Sequence, residues 1–349
     1  MASETPDIRH VTGIHHVTGI VGDAATSVEF YTTVLGLGLL RTTVNYEDIL
    51  QHHLYFGTGG DPGSVLTVFP DPTGDPGRVG RPGYEAVAFA VPPGSLVGWA
   101  DRLADHGVDA VTPDPEARFG DRHLRTTDPA GTTIELVERD DPREPWLDGP
   151  VPEAMAIRGI DGVSALPTDP YGAATVLETL GFEYVAETNG AAGDARIRYR
   201  IPGEFARTVD LLDRDGAFLR EGPGTLHHLA VRVPDREALL EWHGLFRERE
   251  YQTSRVKDRH FFHSLYVRGP GGLLIELASD EPGAGGVVDD AGGDRVGGIA
   301  DPNVEGHATD LWLPERFAAD RELIESQLPP VISREDGDGA DGTPAPNGR

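Results

Sequence analysis

The sequence of 349 residues contains no cysteine and only one lysine, Lys257. Without cysteine the protein has no disulfide bonds, no thiolate nucleophile and no zinc–thiolate site. Lysine and arginine together number 30 against 58 acidic residues, which gives a formal net charge of −28. Nucleic acids and anionic membranes bind positively charged surfaces, so this balance argues against both as partners. We interpret the acidity as a halophilic-type surface that favours solubility.

Long apolar runs are also absent, and none approaches the roughly 18 residues that a membrane-spanning helix needs. The N-terminal sequence MASETPDIRH lacks the positively charged start and the apolar core of a secretory signal. We therefore expect a cytoplasmic protein. The length favours more than one domain, since a domain commonly contains roughly 100 to 200 residues.

An internal repeat divides most of the chain into four units, with the boundaries 10–70, 83–139, 157–213 and 224–280. GIHHVTGI in the first unit returns as GIDGVSAL in the third, and the second and fourth units both end in the triplet IEL. Each unit has the pattern of a strand, a helix and about three further strands. The predicted fold class is α+β, with four βαβββ modules that pair into two half-open barrels, each enclosing a cup.

The remaining chain, residues 281–349, has a different composition. It begins with a linker rich in glycine and aspartate and ends in a polar, glycine-rich tail. Between them, PERFAADRELIESQLPP has apolar residues at helical spacing, namely Phe317, Leu323, Ile324 and Leu328. We expect a linker, a short helix that docks on the body and a disordered acidic tail.

The repeat provides an internal control for the two histidine pairs. Aligning the first unit with the third places His16 on Gly162, and aligning the fourth with the second places His228 on Ala86. Because a small residue suffices for the fold at these positions, the histidines are better explained by a function. Glu276, in the IEL triplet of the fourth unit, adds a carboxylate at the same layer of the strands. Two imidazoles and one carboxylate are the ligand set of non-haem Fe(II) oxygenases, and the same set suits Mn(II).

Strand alternation predicts that only one residue of each histidine pair faces the cup. We assign His16, His228 and Glu276 as metal ligands, which requires modules 1 and 4 to share one cup. Modules 2 and 3 then form the other cup. There Glu135 and Asp210 have no imidazole beside them, and we interpret that half as inactive.

Three segments carry a resemblance to a known family: GIHHVT at 13–18, LHHLAVRV at 226–233 and RVKDRHFFHSLYVRGPGGLLIELASD at 255–280. On these segments the chain resembles the vicinal oxygen chelate superfamily of glyoxalases, bleomycin resistance proteins and extradiol dioxygenases. The resemblance covers about residues 10 to 330. Within the superfamily, the chain is most similar to four-module ring-cleaving dioxygenases of the hydroquinone type.

The resemblance implies roles for particular residues. The iron ligands would be His16, His228 and Glu276, in agreement with the repeat. The catalytic residues beside the metal would be His15, His227, Arg259 and Tyr266. His227 or Tyr266 would move protons, and Arg259 would hold an anionic oxygen. The histidines expected to be structural or solvent-facing are His53, His260 and His263.

The implied function is a non-haem Fe(II)-dependent dioxygenase that inserts O₂ into a hydroquinone- or catechol-type ring and cleaves it. Its partners would be a small aromatic substrate, O₂ and, in a homo-oligomer, further copies of the chain. Two alternatives stay open. One is a glyoxalase-like metal-dependent isomerase or lyase, in which a divalent ion stabilises an enediolate. The other is a non-catalytic resistance protein that sequesters an aromatic or drug-like ligand.

Overall fold

The computed structural model of the protein describes residues 11–59, 65–189, 194–203, 206–281 and 308–332. The expected linker and acidic tail lie almost wholly outside the described residues. No helix in the described part of the chain is long and apolar enough to cross a membrane.

The first two units each begin with a long buried strand and continue with a helix. The first contains β1 (Ile14–Val21), α1 (Ala24–Glu29) with a π-helical turn (Phe30–Val34), β2 (Gly38–Asn45), β3 (Asp48–Gly57) and β4 (Val65–Pro70). The second contains β5 (Gly83–Val91), α2 (Leu96–Asp105), β6 (Ala110–Val111), a 3₁₀ turn (Pro115–Arg118), β7 (His123–Thr127) and β8 (Thr133–Glu138).

The last two units repeat this order, and a short helical segment follows them. The third unit contains β9 (Gly159–Leu166), α3 (Pro170–Thr179), β10 (Glu183–Asn189), β11 (Ala195–Arg200) and β12 (Thr208–Asp213). The fourth contains β13 (Thr225–Val233), α4 (Arg236–Glu248), β14 (Gln252–Thr253), β15 (Lys257–Asp258), β16 (His263–Arg268) and β17 (Leu274–Ser279). The C-terminal segment has a 3₁₀ turn (Glu315–Asp320) and α5 (Arg321–Gln327).

Strand pairing joins the first unit to the fourth and the second to the third. β1 runs antiparallel to β13, with β4 and β17 parallel on their outer sides. β5 and β9 repeat this arrangement with β8 and β12. We call the half built from β1–β4 and β13–β17 the first cup, and the half built from β5–β12 the second cup. The expected α+β fold class is confirmed.

Aspartates begin three of the helices in the same way. The side chain of Asp23 accepts a hydrogen bond from the Thr26 amide at 2.8 Å, and Asp235 accepts one from Ala238 at 2.8 Å. Asp169 caps α3 in the same manner. These caps satisfy amides that the first turn of a helix cannot pair internally. They fix each helix start soon after its long strand.

The C-terminal segment packs on the outside of the β2–β3 hairpin. Ile324 and Leu313 form a buried cluster with Val44, and the amide of Trp312 donates to the carbonyl of Thr42 at 2.9 Å. Leu323, which was expected to pack, is 59% exposed. It lies on the solvent side of α5 because the short helix has only one face against the hairpin.

Candidate metal centre

Three side chains converge at the base of the first cup. His16 lies on β1, His228 on β13 and Glu276 on β17. The Nε2 atoms of the two histidines are 3.3 Å apart, and the Glu276 Oε2 atom lies 2.7 Å from Nε2 of His228 and 3.4 Å from Nε2 of His16. The ligand atoms all fall within 4.8 Å of one another, and the three residues are buried. Such a cluster could hold a divalent metal ion.

The carboxylate of Glu276 is the part of the cluster that most needs a cation. Neither of its oxygens has a partner with hydrogen-bond geometry among the described residues, despite the short separation from His228. Burial by itself would raise the pKa of Glu276, but His16 and His228 outweigh burial and hold the pKa well below its usual value. A buried, ionised and unsatisfied carboxylate is costly unless it is paired or coordinates a metal. The donor set therefore fits a divalent ion.

Each ligand histidine is oriented by the histidine that precedes it. The Nδ1 atoms of His15 and His16 are 2.9 Å apart, and those of His227 and His228 are 2.7 Å apart. A contact between two ring nitrogens requires one of them to carry the proton. If His16 and His228 donate from Nδ1, their Nε2 lone pairs face the centre of the cluster, as metal-ligating histidines commonly do. Burial lowers the pKa of His228 to about 4, which keeps the ring neutral for coordination.

The prediction that only one residue of each histidine pair faces the cup is wrong for His227, because both His227 and His228 line the cavity. The reason is a pair of β-bulges. Between β1 and β13 the register shifts once around His15 and once around His227. A bulge inserts an extra residue and re-aims its side chain, so the two-residue alternation fails locally.

A cavity of about 440 Å³ opens over the cluster. Apolar side chains line part of it, namely Ile20, Phe69, Phe262 and Leu274. Polar and aromatic groups line the rest, among them Glu47, His53, Tyr55, Lys257, Arg259 and Tyr266. This combination suits a flat, mostly apolar ligand with a few polar substituents.

His53 belongs to this cavity, whereas we expected it to be structural or solvent-facing. Its Nε2 lies 2.9 Å from the Thr67 hydroxyl, and its Nδ1 lies 3.0 Å from the Tyr55 hydroxyl. Burial, followed by the charges of His16 and His228, places the pKa of His53 well below its usual value. The alternation of β3 could have identified it, because Gln51, His53 and Tyr55 all line the cavity.

Of the four expected catalytic residues, three line the cavity and one does not. His227, Tyr266 and Arg259 line the cavity. Burial raises the pKa of Tyr266 well above its usual value, and its ring centroid lies 5.4 Å from that of His228. His15 does not line the cavity; its ring packs against Phe262 and supports His16.

The other two histidines expected to be structural or solvent-facing, His260 and His263, are not part of the cavity lining. His260 is partly exposed and packs against the ring of Trp312, with centroids 4.5 Å apart. His263 is also partly exposed, and its amide donates to the Ser279 hydroxyl. Both positions agree with the expected structural or solvent-facing character.

Comparison with known proteins gives the family. Residues 13–136 and 175–277 match the Glyoxalase/Bleomycin resistance protein/Dioxygenase superfamily. The chain belongs to this superfamily. The resemblance stated from the two histidine pairs and the 255–280 segment is thereby confirmed.

Named relatives within the superfamily are similar along most of the chain. "Putative ring-cleaving dioxygenase MhqO" from Bacillus subtilis is 34% identical over 93% of this chain and 97% of its own length. A "Chlorohydroquinone/hydroquinone 1,2-dioxygenase" from Sphingobium indicum is 30% identical over 77% of this chain and 85% of its own length. A crystal structure of a "putative dioxygenase" from Bacillus subtilis has a TM-score of 0.81 at 33% identity, covering 92% of this chain and 98% of that chain. The expected enzyme class, an oxidoreductase of the dioxygenase type, is confirmed by this similarity.

In the second cup of this superfamily member the buried carboxylates contact arginines and not imidazoles. Arg118 is 1% exposed and forms hydrogen-bonded ion pairs with Glu135, while Arg198 binds Asp210 through two nitrogens, at 2.7 and 2.8 Å. Arg139 binds Asp121 at 2.7 Å. The arginines of this network come from loops and strand positions that no local sequence pattern connects, so the network could not be predicted from the sequence.

Proposed function

We propose that the protein is a non-haem, Fe(II)-dependent ring-cleaving dioxygenase that acts on a hydroquinone- or catechol-type aromatic. The observation that carries the proposal is the buried cluster of His16, His228 and Glu276 under a partly apolar cavity. Two imidazoles and one carboxylate leave open positions on one side of the metal, as in other non-haem Fe(II) oxygenases. The relatives named as ring-cleaving dioxygenases support the same class.

The chemistry that Fe(II) supplies when bound is the joint binding of a substrate oxygen and O₂ and the transfer of electrons between them. Manganese(II) accepts the same ligands. The protein contributes a binding site that keeps these reactants together. The rings of Phe69 and Phe262, with Ile20 and Leu274, provide apolar surfaces for the aromatic ring.

His53 is the residue we assign to accept a proton from the substrate hydroxyl. Its imidazole is neutral near pH 7 because burial lowers its pKa, and it lines the cavity from β3, whereas Tyr266 lines it from β16. The Tyr55 hydroxyl lies 3.0 Å from Nδ1 and the Thr67 hydroxyl lies 2.9 Å from Nε2, so the substrate hydroxyl must replace one of these partners to deliver its proton. A neutral imidazole that is held by a second group is suited to general base catalysis.

We assign Tyr266 and His227, which also line the cavity, to hold protons during the reaction. Because burial raises the pKa of Tyr266, its hydroxyl stays protonated and can donate a hydrogen bond to a developing oxyanion. His227 uses Nδ1 against His228, so that its Nε2 is the nitrogen left for substrate or water. Arg259 adds a permanent positive charge to the cavity lining.

The glyoxalase-like alternative would need another protein ligand from the first unit. The position in β4 that corresponds to Glu276 is Thr67: Thr67 is paired with Thr18, two residues after His16, as Glu276 is paired with Ala230, two residues after His228. Its hydroxyl already contacts Thr18 at 2.8 Å and His53 at 2.9 Å. A neutral hydroxyl with two partners is a weak ligand, which favours the three-ligand oxygenase over the isomerase.

Oxygen consumption provides the test of this function. Protein purified without oxygen and loaded with Fe(II) is mixed with a hydroquinone or a catechol in high salt, while O₂ uptake and ultraviolet absorbance are followed. We expect uptake of one O₂ per ring together with a new ring-opened chromophore, and the better substrate identifies the hydroxyl pattern. Protein that holds stoichiometric iron but consumes no O₂ with either ring would contradict the proposal.

Anaerobic turnover of an α-keto hemithioacetal would favour the isomerase. Tight binding of an aromatic ligand without metal would favour the resistance protein.

A further inference from the structure

The internal repeat contains two equivalent arginines, Arg118 and Arg259. Arg118 precedes Glu135 by 17 residues, and Arg259 precedes Glu276 by the same number. Each arginine is followed by a residue in the left-handed region, with φ of 58° at Phe119 and 69° at His260. Non-glycine residues adopt this region infrequently. The shared spacing and backbone conformation show that the two arginines occupy the same place in their cups.

The two side chains point to different partners. Arg118 turns into the second cup, where it is hydrogen-bonded to Glu135 and lies 3.8 Å from Asp210. Arg259 turns towards the mouth of the first cup, where its Nη1 donates to Glu47 at 2.8 Å, and its Nε donates to the Ser264 hydroxyl at 3.2 Å. Glu135 corresponds to Glu276, since each is the middle residue of the IEL triplet on the last strand of its unit. The second cup therefore shows the inward arrangement of an arginine at this position, in which the guanidinium pairs with the carboxylate at the base of the cup.

Glu47 is the acidic partner of Arg259 at the mouth of the first cup. It lies in the turn between β2 and β3, on the wall opposite Arg259, and binds Lys257 at 2.7 Å as well. The hydrogen bond from Lys257 is the largest factor that lowers the pKa of Glu47, and Arg259 adds to it, so the carboxylate stays ionised. Its ion pairs span the cavity from the first unit to the fourth.

Arg259 is already close to the metal cluster in this outward position. Its Cζ atom lies 5.6 Å from the centroid of the Tyr266 ring, and Tyr266 pairs with Glu276 across β16 and β17. A guanidinium is always charged and binds carboxylates in a bidentate fashion. If it turned inward it would occupy the oxygens of Glu276 that a metal needs.

We infer that Glu47 is a positioning residue that holds Arg259 away from Glu276 and so keeps the carboxylate available to the metal. The inference rests on the proposed function in that it takes His16, His228 and Glu276 as the metal site. Arg118 and Glu135 represent the competing arrangement within the same molecule. In the absence of Glu47, Arg259 competes with the divalent ion for one buried anion.

The test measures the affinity of the protein for Co(II), a visible-absorbing substitute for Fe(II). In Glu47→Gln we expect the dissociation constant to rise about tenfold, the lower end of what loss of an outer partner of a metal ligand costs. Adding Arg259→Gln to that variant should restore affinity to within about twofold of the wild type, because the competitor is gone. Adding Lys257→Gln instead restores the net charge equally but leaves Arg259 free, so affinity should remain weak. Glu325→Gln, which removes an exposed ion pair with Arg321, is the control for the loss of one carboxylate.

The two double variants distinguish the positioning of Arg259 by Glu47 from an effect of the protein's net charge. Equal recovery with Arg259→Gln and with Lys257→Gln would overturn the inference, because only net charge would then matter. It would also be overturned if Glu47→Gln bound Co(II) as the wild type does, or if neither double variant recovered. Wild-type protein that fails to bind Co(II), or binds it equally after His228→Ala, would overturn the proposed metal site as well. Thermal unfolding of each variant confirms that it is folded.

Discussion

The two cups are built from the same repeated strands but neutralise buried carboxylates differently. In the first, His16 and His228 surround Glu276. In the second, the corresponding residues around Glu135 are Gly162 and Ala86, and Arg118 fills the space. In the other unit of each cup, the position that corresponds to this glutamate holds Thr67 in the first cup and Asp210 in the second.

The two cups satisfy the carboxylate at their base by different means. The second cup provides a cation from its own chain, and its ion pairs are hydrogen-bonded from several sides. The first cup provides imidazoles and leaves both Glu276 oxygens without hydrogen-bond geometry among the described residues. Buried charge without a partner is strongly unfavourable. Under the proposed function, the first cup acquires its cation as a bound metal ion, whereas the second already has arginines from its own chain.

Removing one imidazole from the first cup should give the largest effect. In His228→Ala we expect loss of stoichiometric metal and a fall in ring-cleaving turnover of at least about a thousandfold, because two remaining ligands hold the ion poorly. Metal analysis and O₂ uptake measure this. His243→Ala, on the outer helix α4, is the matched control and should behave as the wild type. Full turnover in His228→Ala would refute the assignment.

Removing the arginine from the second cup should destabilise the protein without affecting metal. Arg118→Met leaves Glu135 and Asp210 with a missing partner, for which we expect a loss of about 3 to 5 kcal/mol in the free energy of unfolding. Denaturant unfolding measures the loss, and Co(II) affinity should stay unchanged. The control is Arg122→Gln, whose side chain is 65% exposed in its ion pair and should cost no more than about 1 kcal/mol. Loss of metal in Arg118→Met would show that the cups are not independent.

Substitution of His53 should separate the catalytic activity of the first cup from its metal binding. His53→Gln should retain metal but lose about a hundredfold in turnover, as expected when a general base is removed. Its counterpart in the second cup, Arg196, binds Asp210 at 2.9 Å and serves the charge network only. Arg196→Gln is thus the matched control and should keep full activity. Unchanged turnover in His53→Gln would assign proton transfer to His227 or Tyr266 instead.

Acid should affect the two cups of the metal-free protein in different pH ranges. Burial lowers the pKa of His228 from 6.5 to about 4, so the stability that comes from keeping this ring neutral is lost as pH falls from 6.5 towards 4. Burial opposes the shift at Asp121, but Arg139 and Arg198 outweigh it and lower the pKa from 3.8 to about 2. Its contribution, about 2 kcal/mol, is present above pH 3.8 and is lost as pH falls towards 2.

Unfolding free energies measured between pH 7 and pH 2 check this separation. Asp121→Asn should flatten the lower range and leave the upper range unchanged. His228→Asn should do the opposite. A single transition that both variants alter equally would show that the cups unfold through the same titrating groups.

Much of this protein follows from local sequence. The recurrence of GIHHVTGI as GIDGVSAL and of the IEL triplet predicts repeated strands, and the α+β class follows from their order. The contrast of His16 with Gly162 and of His228 with Ala86 identifies the cluster, because a repeat shows which side chains the fold does not require. These inferences need only spacing along the chain.

The tertiary structure decided the rest. One-residue register shifts at His15 and His227 place adjacent histidines together, and such shifts depend on the partner strand. The inward Arg118 and the outward Arg259 stand at the same spacing from the carboxylate of the IEL triplet, but folding gives them different partners: Glu135 for Arg118, and Glu47 and Ser264 for Arg259. Periodicity is a local property, whereas the direction of a long charged side chain is set by charges that folding brings near. For that physical reason the sequence determined the repeat and the metal cluster, and the folded structure determined how each cup is neutralised.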